Sequence, residues 1–219
     1  MMISLKNVVK KYAQRTVLNG ISLDLDAKTQ YVIKGPSGSG KSTLLYLIAG
    51  MEYLDGGEIR YQDLLINELN DQDLASYRNL QVGLIFQFHF LLSTLSNLEN
   101  ILLPARIAGV SLRKIKSNVL DLAKILGVEE LLKKYPYQLS GGELQRINIL
   151  RAISLTPKVI LGDEPTGSLD QENSKRVITL LRDVATSIGS TLLVVTHDDL
   201  VASGFQNHLY MEDGKIKSV

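Results

Sequence analysis

The chain has 219 residues, of which 45% are hydrophobic and 21% charged, and this composition predicts one well-buried globular domain. A formal net charge of +1 gives no support for binding to nucleic acid or an anionic membrane surface, and the lack of cysteine excludes disulfides and thiol chemistry. The N-terminus lacks a signal peptide's apolar core and the longest apolar run covers only 44–51, so we expect a soluble protein even if it works at a membrane.

Alternation of apolar and polar residues near the N-terminus predicts half-exposed strands. The apolar positions of three such stretches are Ile3 and Leu5, then Ile21, Leu23 and Leu25, then Ile59 and Tyr61. The third stretch follows Gly56-Gly57, which we interpret as a turn. Together the three stretches predict a small antiparallel sheet beside the main one.

Four short runs are continuously apolar and rich in β-branched residues. They cover 31–33, 82–86, 159–161 and 191–196. Such runs are typical of parallel strands that are covered on both faces, so the fold class we predict is α/β with a mostly parallel sheet.

The middle of the chain has the periodicity of helices. Apolar residues recur at helical spacing over 112–126, and Gly127 stands where a helix C-cap belongs. A short segment at 131–132 is limited by Pro136, and another helix is predicted over about 172–187. We expect a single domain over 1–219, with a core of about 1–87 and 158–219 and an inserted helical subdomain of about 88–157.

One loop matches G-x-x-x-x-G-K-[ST], a phosphate-binding P-loop between a strand-like run and a helix. Its residues, with the one that follows, are Gly35, Pro36, Ser37, Gly38, Ser39, Gly40, Lys41, Ser42 and Thr43. The glycines allow a tight turn whose N–H groups surround an anion at a helix N-terminus. Lys41 is predicted to reach the β- and γ-phosphates, and Ser42 to bind Mg²⁺.

Polar residues follow the other three apolar runs. Asp163 is predicted to hold Mg²⁺, and Glu164 to act as a general base on water. Gln87 is predicted to bind Mg²⁺ or the attacking water, and His197 to donate to the γ-phosphate. Because ligands bind at the carboxyl ends of parallel strands, the four groups should meet in one crevice. Taken singly, each group also has a purely structural interpretation. Asp163-Glu164 fits a solvated acidic turn, Gln87 a polar loop residue and His197 a structural histidine.

Ser140 and Glu143 form the S-x-x-E pattern of a capping box at the start of a helix. One interpretation is capping alone. In the other, Gly141 and Gly142 leave N–H groups open to an incoming anion, which makes a second phosphate site.

In their order along the chain, these motifs resemble the ATP-binding subunits of ABC transporters over essentially the whole sequence. The loop is similar to Walker A, 159–164 to Walker B with its catalytic glutamate, and 139–145 to the signature motif. The D-loop (168–170), Gln87 and His197 also match, and Tyr12 stands where the family stacks an aromatic ring on adenine. Three positions depart from the usual pattern: Leu144, Gly162 and Ser168. The resemblance implies an ATPase with ATP and Mg²⁺ as ligands.

A finer resemblance, carried by 86–92, 98–100, Pro104, 163–167 and 210–215, is to the ATPases of lipoprotein-releasing systems and their macrolide-exporter relatives. It implies a homodimer beneath integral-membrane permease subunits, peripheral on the cytoplasmic face of the inner membrane. An ATPase of a cell-division or other regulatory membrane complex, or of a macrolide or peptide exporter, is the alternative. DNA-repair and ribosome-binding relatives fit less well, since sustained heptads and a second nucleotide domain are missing.

Overall fold

The computed structural model describes residues 1–218, which form two sheets surrounded by helices. The strands are β1 Ile3–Tyr12, β2 Arg15–Leu25, β3 Gln30–Lys34, β4 Gly56–Tyr61, β5 Leu64–Leu65, β6 Val82–Ile85, β7 Val159–Asp163, β8 Thr191–Thr196, β9 Asn207–Glu212 and β10 Lys215–Ser218. The α-helices are α1 Lys41–Ile48, α2 Asp71–Gln81, α3 Asn97–Ile107, α4 Leu112–Leu126, α5 Gly141–Ile153, α6 Gln171–Ser187 and α7 Asp199–Ala202.

The main sheet has the order β10-β9-β3-β8-β7-β6. Its strands pair in parallel except for β10, which runs antiparallel to β9. The predicted parallel sheet is therefore confirmed. In register, Lys34 pairs with Thr196 and Asp163 with Val195, so the carboxyl ends of β3, β8 and β7 lie side by side. The loops that leave these ends are brought to one edge of the sheet.

The central strands β7 and β8 of the main sheet are buried on both faces, as continuous apolar strands require. Along β8, Leu192 and Val194 face one apolar cluster with the helices, while Leu193 and Val195 face a second cluster. The second cluster contains α1 and the inner face of the smaller sheet. Alternate residues of one strand thus hold two layers against the sheet.

The smaller sheet is antiparallel, in the order β2-β1-β4-β5, which confirms the prediction from period-two patterning. The interpretation of Gly56-Gly57 as a turn before the third strand is wrong, because both residues belong to β4. Gly57 has a φ of +87°, and a Cβ atom there would collide with the backbone of Asn7. This glycine is required where β4 crosses an irregular part of β1, between Lys6 and Val9.

Between β6 and β7 the regular structure is entirely helical, and α3, α4 and α5 share one apolar cluster with the main sheet. The predicted helix over 112–126 is present and ends at Gly127, whose φ of +62° forms the left-handed cap. Within residues 1–218, no helix combines the length and the apolar sequence that crossing a bilayer requires.

Candidate functional site

The four polar groups predicted to converge do line one cleft, of about 440 Å³, at the carboxyl edge of the main sheet. The lining residues are Arg15, Val17, Ser37, Gly38, Gly40, Lys41, Ser42, Thr43, Gln87, Asp163, Glu164 and His197. They come from three strand ends, the loop before α1, the first turn of α1 and the strand β2. The convergence follows from the strand order, because β3, β8, β7 and β6 are consecutive neighbours.

The loop before α1 is held tightly against its surroundings. Gly38 and Gly40 have φ values of +77° and +103°, which favour glycine. A Cβ atom on Gly35 would fall on the carbonyl oxygen of Met211 in β9, so this approach also requires glycine. The backbone is thereby bent around the start of α1, where helix N–H groups and the helix dipole favour an anion.

Lys41 is buried at the first residue of α1. Its Nζ donates hydrogen bonds of 2.8 Å to the carbonyl oxygens of Gly35 and Pro36. Burial lowers the pKa of Lys41, and the nearby carboxylates of Glu164 and Asp163 act in the opposite direction. The ammonium group is thus placed inside the loop, where it can meet the charge of a bound phosphate.

Asp163, the last residue of β7, is buried with a 7% exposed fraction. Its Oδ1 accepts a 2.7 Å hydrogen bond from the Ser42 hydroxyl, and its Oδ2 a 2.6 Å bond from the Tyr46 hydroxyl. Burial raises the pKa of Tyr46, and the carboxylate of Asp163 raises it further, so the phenol keeps its proton and donates.

The donor set around Asp163 fits Mg²⁺. Carboxylate and hydroxyl oxygens are the ligands that this hard cation prefers, and Mg²⁺ commonly takes few protein ligands beside substrate phosphates. Among the described residues, no three His, Cys, Asp or Glu side chains cluster as a self-sufficient metal site. Ser42 and Asp163 are therefore suited to a cation that arrives with a phosphate ligand.

Glu164 is held by residues at the end of β8. Its Oε2 accepts from the Thr196 hydroxyl at 2.9 Å, and its Oε1 accepts from the His197 backbone N–H at 3.1 Å. The Nδ1 atom of the His197 ring lies 2.7 Å from the same Oε1. Glu164 has a positive φ of 46°, a strained conformation that is typical of functional sites. The carboxylate is thus fixed in the cleft beside the imidazole.

Gln87 lines the cleft with its amide packed against Gly167. The segment that follows it is anchored by Arg151 of α5, a residue that sequence analysis missed. The Arg151 guanidinium donates to the carbonyl oxygens of His89 and Phe90 at 2.7 and 2.8 Å and to the Asn148 side chain. Gln145 of the same helix donates to the carbonyl oxygen of Pro165. One helix therefore holds the segments that follow both Gln87 and Glu164.

Ser140 caps α5 as predicted, since the Glu143 carboxylate accepts from its N–H and hydroxyl groups at 2.8 Å each. These bonds lower the pKa of Glu143. Ser140 and Gly141 are exposed, and neither they nor Gly142 line the cleft. The structure thus confirms the capping box but does not bring this helix start to the loop before α1 of its own chain.

Tyr12, at the end of β1, is 44% exposed. It does not line the cleft, but its strand partner Arg15 does. The Nζ of Lys10 lies 5.0 Å from the centre of its ring. The ring therefore lies near the cleft, and the Lys10 ammonium covers one of its faces. Its contact with a base remains a prediction.

Sequence reasoning also missed Tyr46, although a signal was present. Tyr46 follows Ser42 by four residues in α1, so both side chains lie on the same face of the helix. A tyrosine at that spacing, in a helix that starts at a phosphate loop, indicates that its hydroxyl shares a polar partner with Ser42. Its partner could not be read from the sequence, because Asp163 is 117 residues away.

Comparisons with known proteins agree with this geometry. The model of the ABC transporter family matches residues 18–167. The chain is 36% identical over 216 residues to the lipoprotein-releasing system ATP-binding protein LolD of Bacteroides thetaiotaomicron, with 99% of each chain covered. It is 37% identical over 218 residues to LolD of Porphyromonas gingivalis, with 100% of each covered.

Solved structures give the same result. The dimeric structure of MJ0796, a bacterial ABC transporter cassette, has a TM-score of 0.88 and 34% identity, covering 99% of this chain and 97% of that one. A post-hydrolysis dimer of the same cassette, bound to ADP and Pi, has a TM-score of 0.87 and 33% identity, with the same coverage. CbiO1 of Clostridium perfringens has a TM-score of 0.90 at 26% identity, covering 99% and 86%.

The anchoring role of Arg151 can be tested by Arg151→Met, which keeps much of the side chain's length but removes its donors. Losing charged hydrogen bonds to two carbonyl groups should lower the free energy of unfolding by about 2–3 kcal/mol. Urea unfolding measures this change. Arg113→Met, at an exposed position of α4, is the control and should be close to neutral. Equal stability of the two variants would contradict the anchor.

Proposed function

The chain belongs to the ABC transporter family and is an ATP-hydrolysing subunit, and we propose that it powers membrane subunits that release lipoproteins from the inner membrane. The observation that carries the proposal is the full-length similarity, at 36–37% identity, to proteins named as ATP-binding components of lipoprotein-releasing systems. The lack of a membrane-spanning helix within residues 1–218 is compatible with a subunit that relies on separate membrane proteins.

In the proposed site, ATP lies with its phosphates in the loop 35–43, and Lys41 contacts the β- and γ-phosphates. Ser42, Asp163 and Gln87 hold Mg²⁺, which when bound offsets the negative charge of the phosphates. The ring of Tyr12 stacks on adenine, on the face that Lys10 does not cover. The hydrogen-bonding atoms observed at Ser42 and Asp163 are the ones this assignment needs.

Glu164 is proposed as the general base that takes a proton from the attacking water. Its carboxylate is oriented by Thr196 and the backbone of His197. We assign His197 two contacts, both donated by the imidazolium form that carries a proton on each ring nitrogen: Nδ1–H to Glu164 and the other N–H to the γ-phosphate. The short distance from Nδ1 to Oε1 supports the first contact.

The second phosphate contact is proposed to come from another copy of the chain. Ser140, Gly141 and Gly142 form a helix start that is suited to an anion. Ser140 and Gly141 are exposed, and none of the three reaches its own cleft. A symmetric homodimer would place each of these helix starts over the cleft of the opposite chain and make two identical sites. The dimeric arrangement of the similar cassette MJ0796 supports this proposal.

The surface for the membrane subunits is proposed to begin directly after Gln87. Phe88 and Phe90 are 66% and 64% exposed, and their rings contact each other with centres 6.3 Å apart. Phe90 also contacts Phe86, the residue before Gln87, with an edge-on geometry. Exposed neighbouring aromatic rings indicate a protein contact, and this one adjoins a residue of the cleft.

Substitution Glu164→Gln removes the base but keeps size and hydrogen bonding. The variant should bind ATP with Mg²⁺, accumulate as a dimer, and hydrolyse ATP at least about a hundredfold more slowly. Light scattering in ATP and a phosphate-release assay measure the two effects. Glu99→Gln, in the cap of α3, is the control and should hydrolyse normally. Wild-type hydrolysis by Glu164→Gln, or a monomer in ATP even with the membrane subunits present, would contradict the assignment.

The proposed function predicts that affinity purification from native membranes recovers integral-membrane subunits. Vesicles carrying that complex should release an embedded lipoprotein when ATP is added. The double variant Phe88→Ser/Phe90→Ser should lose the membrane subunits, since two buried rings contribute on the order of 3 kcal/mol or more, roughly a hundredfold in affinity.

Leu64→Ser, an exposed apolar position on β5, is the matched control and should retain the membrane subunits. Efflux of a macrolide without lipoprotein release would favour the exporter alternative. A complex that moves neither substrate would favour a regulatory ATPase. Full recovery of the membrane subunits by the double variant would place the docking surface elsewhere.

A further inference from the structure

The phenol of Tyr46 makes a contact where Ser42 and Asp163 meet in the cleft, and no motif of the family resemblance includes this contact. Its hydroxyl donates to Asp163 Oδ2 at 2.6 Å, while Ser42 donates to Oδ1 at 2.7 Å. Each oxygen of this buried carboxylate therefore has its own donor. Because both donors come from α1, the carboxylate is fixed relative to the same helix that carries the phosphate loop.

The two contacts have different consequences. Ser42, which is proposed to hold Mg²⁺ together with Asp163, is bound to Oδ1. Tyr46 is bound to the other oxygen, and a hydrogen bond to an ionised carboxylate is about twice as strong as one between neutral groups. Holding Oδ2 sets the rotation of the carboxylate group and directs Oδ1 toward Ser42. It also supplies a donor to a charge that β7 places away from solvent.

We propose that Tyr46 is a positioning residue for Mg²⁺, acting through Asp163 Oδ2. The inference rests on the proposed function, because it assumes that Ser42 and Asp163 hold the metal. It adds a residue that tunes how strongly Mg²⁺ promotes nucleotide binding. Partners of metal-ligating carboxylates typically affect metal affinity by about 10- to 100-fold.

A purely packing role for Tyr46 is the competing explanation. The ring lies beside Phe86, with centres 6.3 Å apart, so it also fills space between α1 and the end of β6. Tyr46→Phe separates the two roles, because it keeps the ring and removes only the hydroxyl. Tyr61→Phe is the matched control, since it removes a tyrosine hydroxyl that donates to Gln81 at 2.8 Å, outside the cleft.

The measurement is the affinity for a fluorescent, non-hydrolysable ATP analogue, titrated in excess Mg²⁺ and again in EDTA. The dissociation constant in EDTA divided by the dissociation constant in Mg²⁺ reports how strongly the metal promotes binding, without any turnover. In Tyr46→Phe this ratio should fall by about tenfold, with the EDTA value unchanged. In Tyr61→Phe it should equal that of the wild type. A wild-type ratio in Tyr46→Phe, or an equal loss of affinity in both conditions, would overturn the proposal.

Asp163→Asn distinguishes failure of this inference from failure of the proposed function. If Asp163→Asn keeps the wild-type ratio, Asp163 does not hold the metal and the proposed site is wrong. If the ratio falls in Asp163→Asn but stays at the wild-type value in Tyr46→Phe, only the role of Tyr46 is wrong. Should Tyr46→Phe fail to fold, Tyr46→His and Tyr46→Leu replace it, because only histidine retains a donor. The histidine variant should then show the larger ratio, and equal ratios would contradict the proposal.

Discussion

The cleft depends on one buried carboxylate. Asp163 ends a buried strand and reaches the cleft with only 7% of its surface exposed, so its charge is largely shielded from water and needs hydrogen-bond donors from the protein. α1 supplies two of them, and Lys41 at the start of that helix adds a positive charge nearby. The need of the Asp163 carboxylate for these donors therefore fixes the distance between the end of β7 and the phosphate loop.

A second constraint is that the segments that follow the strand ends must be held in place by hydrogen bonds from neighbouring elements. Glu164 is held by the end of β8, and the segment after Gln87 by Arg151 of α5. α5 also contacts the loop after Glu164 through Gln145. Its own start at Ser140 remains exposed. This helix thus connects the cleft of one chain with the surface proposed to meet another.

The sequence predicted the parallel sheet, the antiparallel sheet, α4 and the convergence of the cleft residues. These features follow from local patterns: apolar runs, period-two alternation, helical spacing and a loop motif. It did not predict α2, because only Leu74 and Tyr77 of that helix are buried and no apolar face is visible. β9 was also missed, since its residues are mostly exposed or half-buried and its place is set by pairing with β3.

The site was predicted less completely than the fold, for a physical reason. Motifs identify residues that contact a ligand, and their spacing is local. Tyr46 and Arg151 act on other protein groups that lie 117 and 61–62 residues away, so neither role appears before the chain is folded. The turn assigned at Gly56-Gly57 was wrong for a similar reason, because both residues belong to β4, which pairs with β1, and Gly57 is required by its close approach to the β1 backbone.

In the proposed dimer, each hydrolytic site combines the phosphate loop of one chain with the Ser140 helix of the other. Mixing two inactive variants, Lys41→Ala and Ser140→Arg, tests it directly. In a mixed dimer one site carries both substitutions, while the other carries neither. ATP hydrolysis should therefore recover on mixing, up to about a quarter of the wild-type rate, since half of randomly formed dimers have one intact site of two. If the mixture hydrolyses ATP no faster than the two variants do separately, the shared site is contradicted.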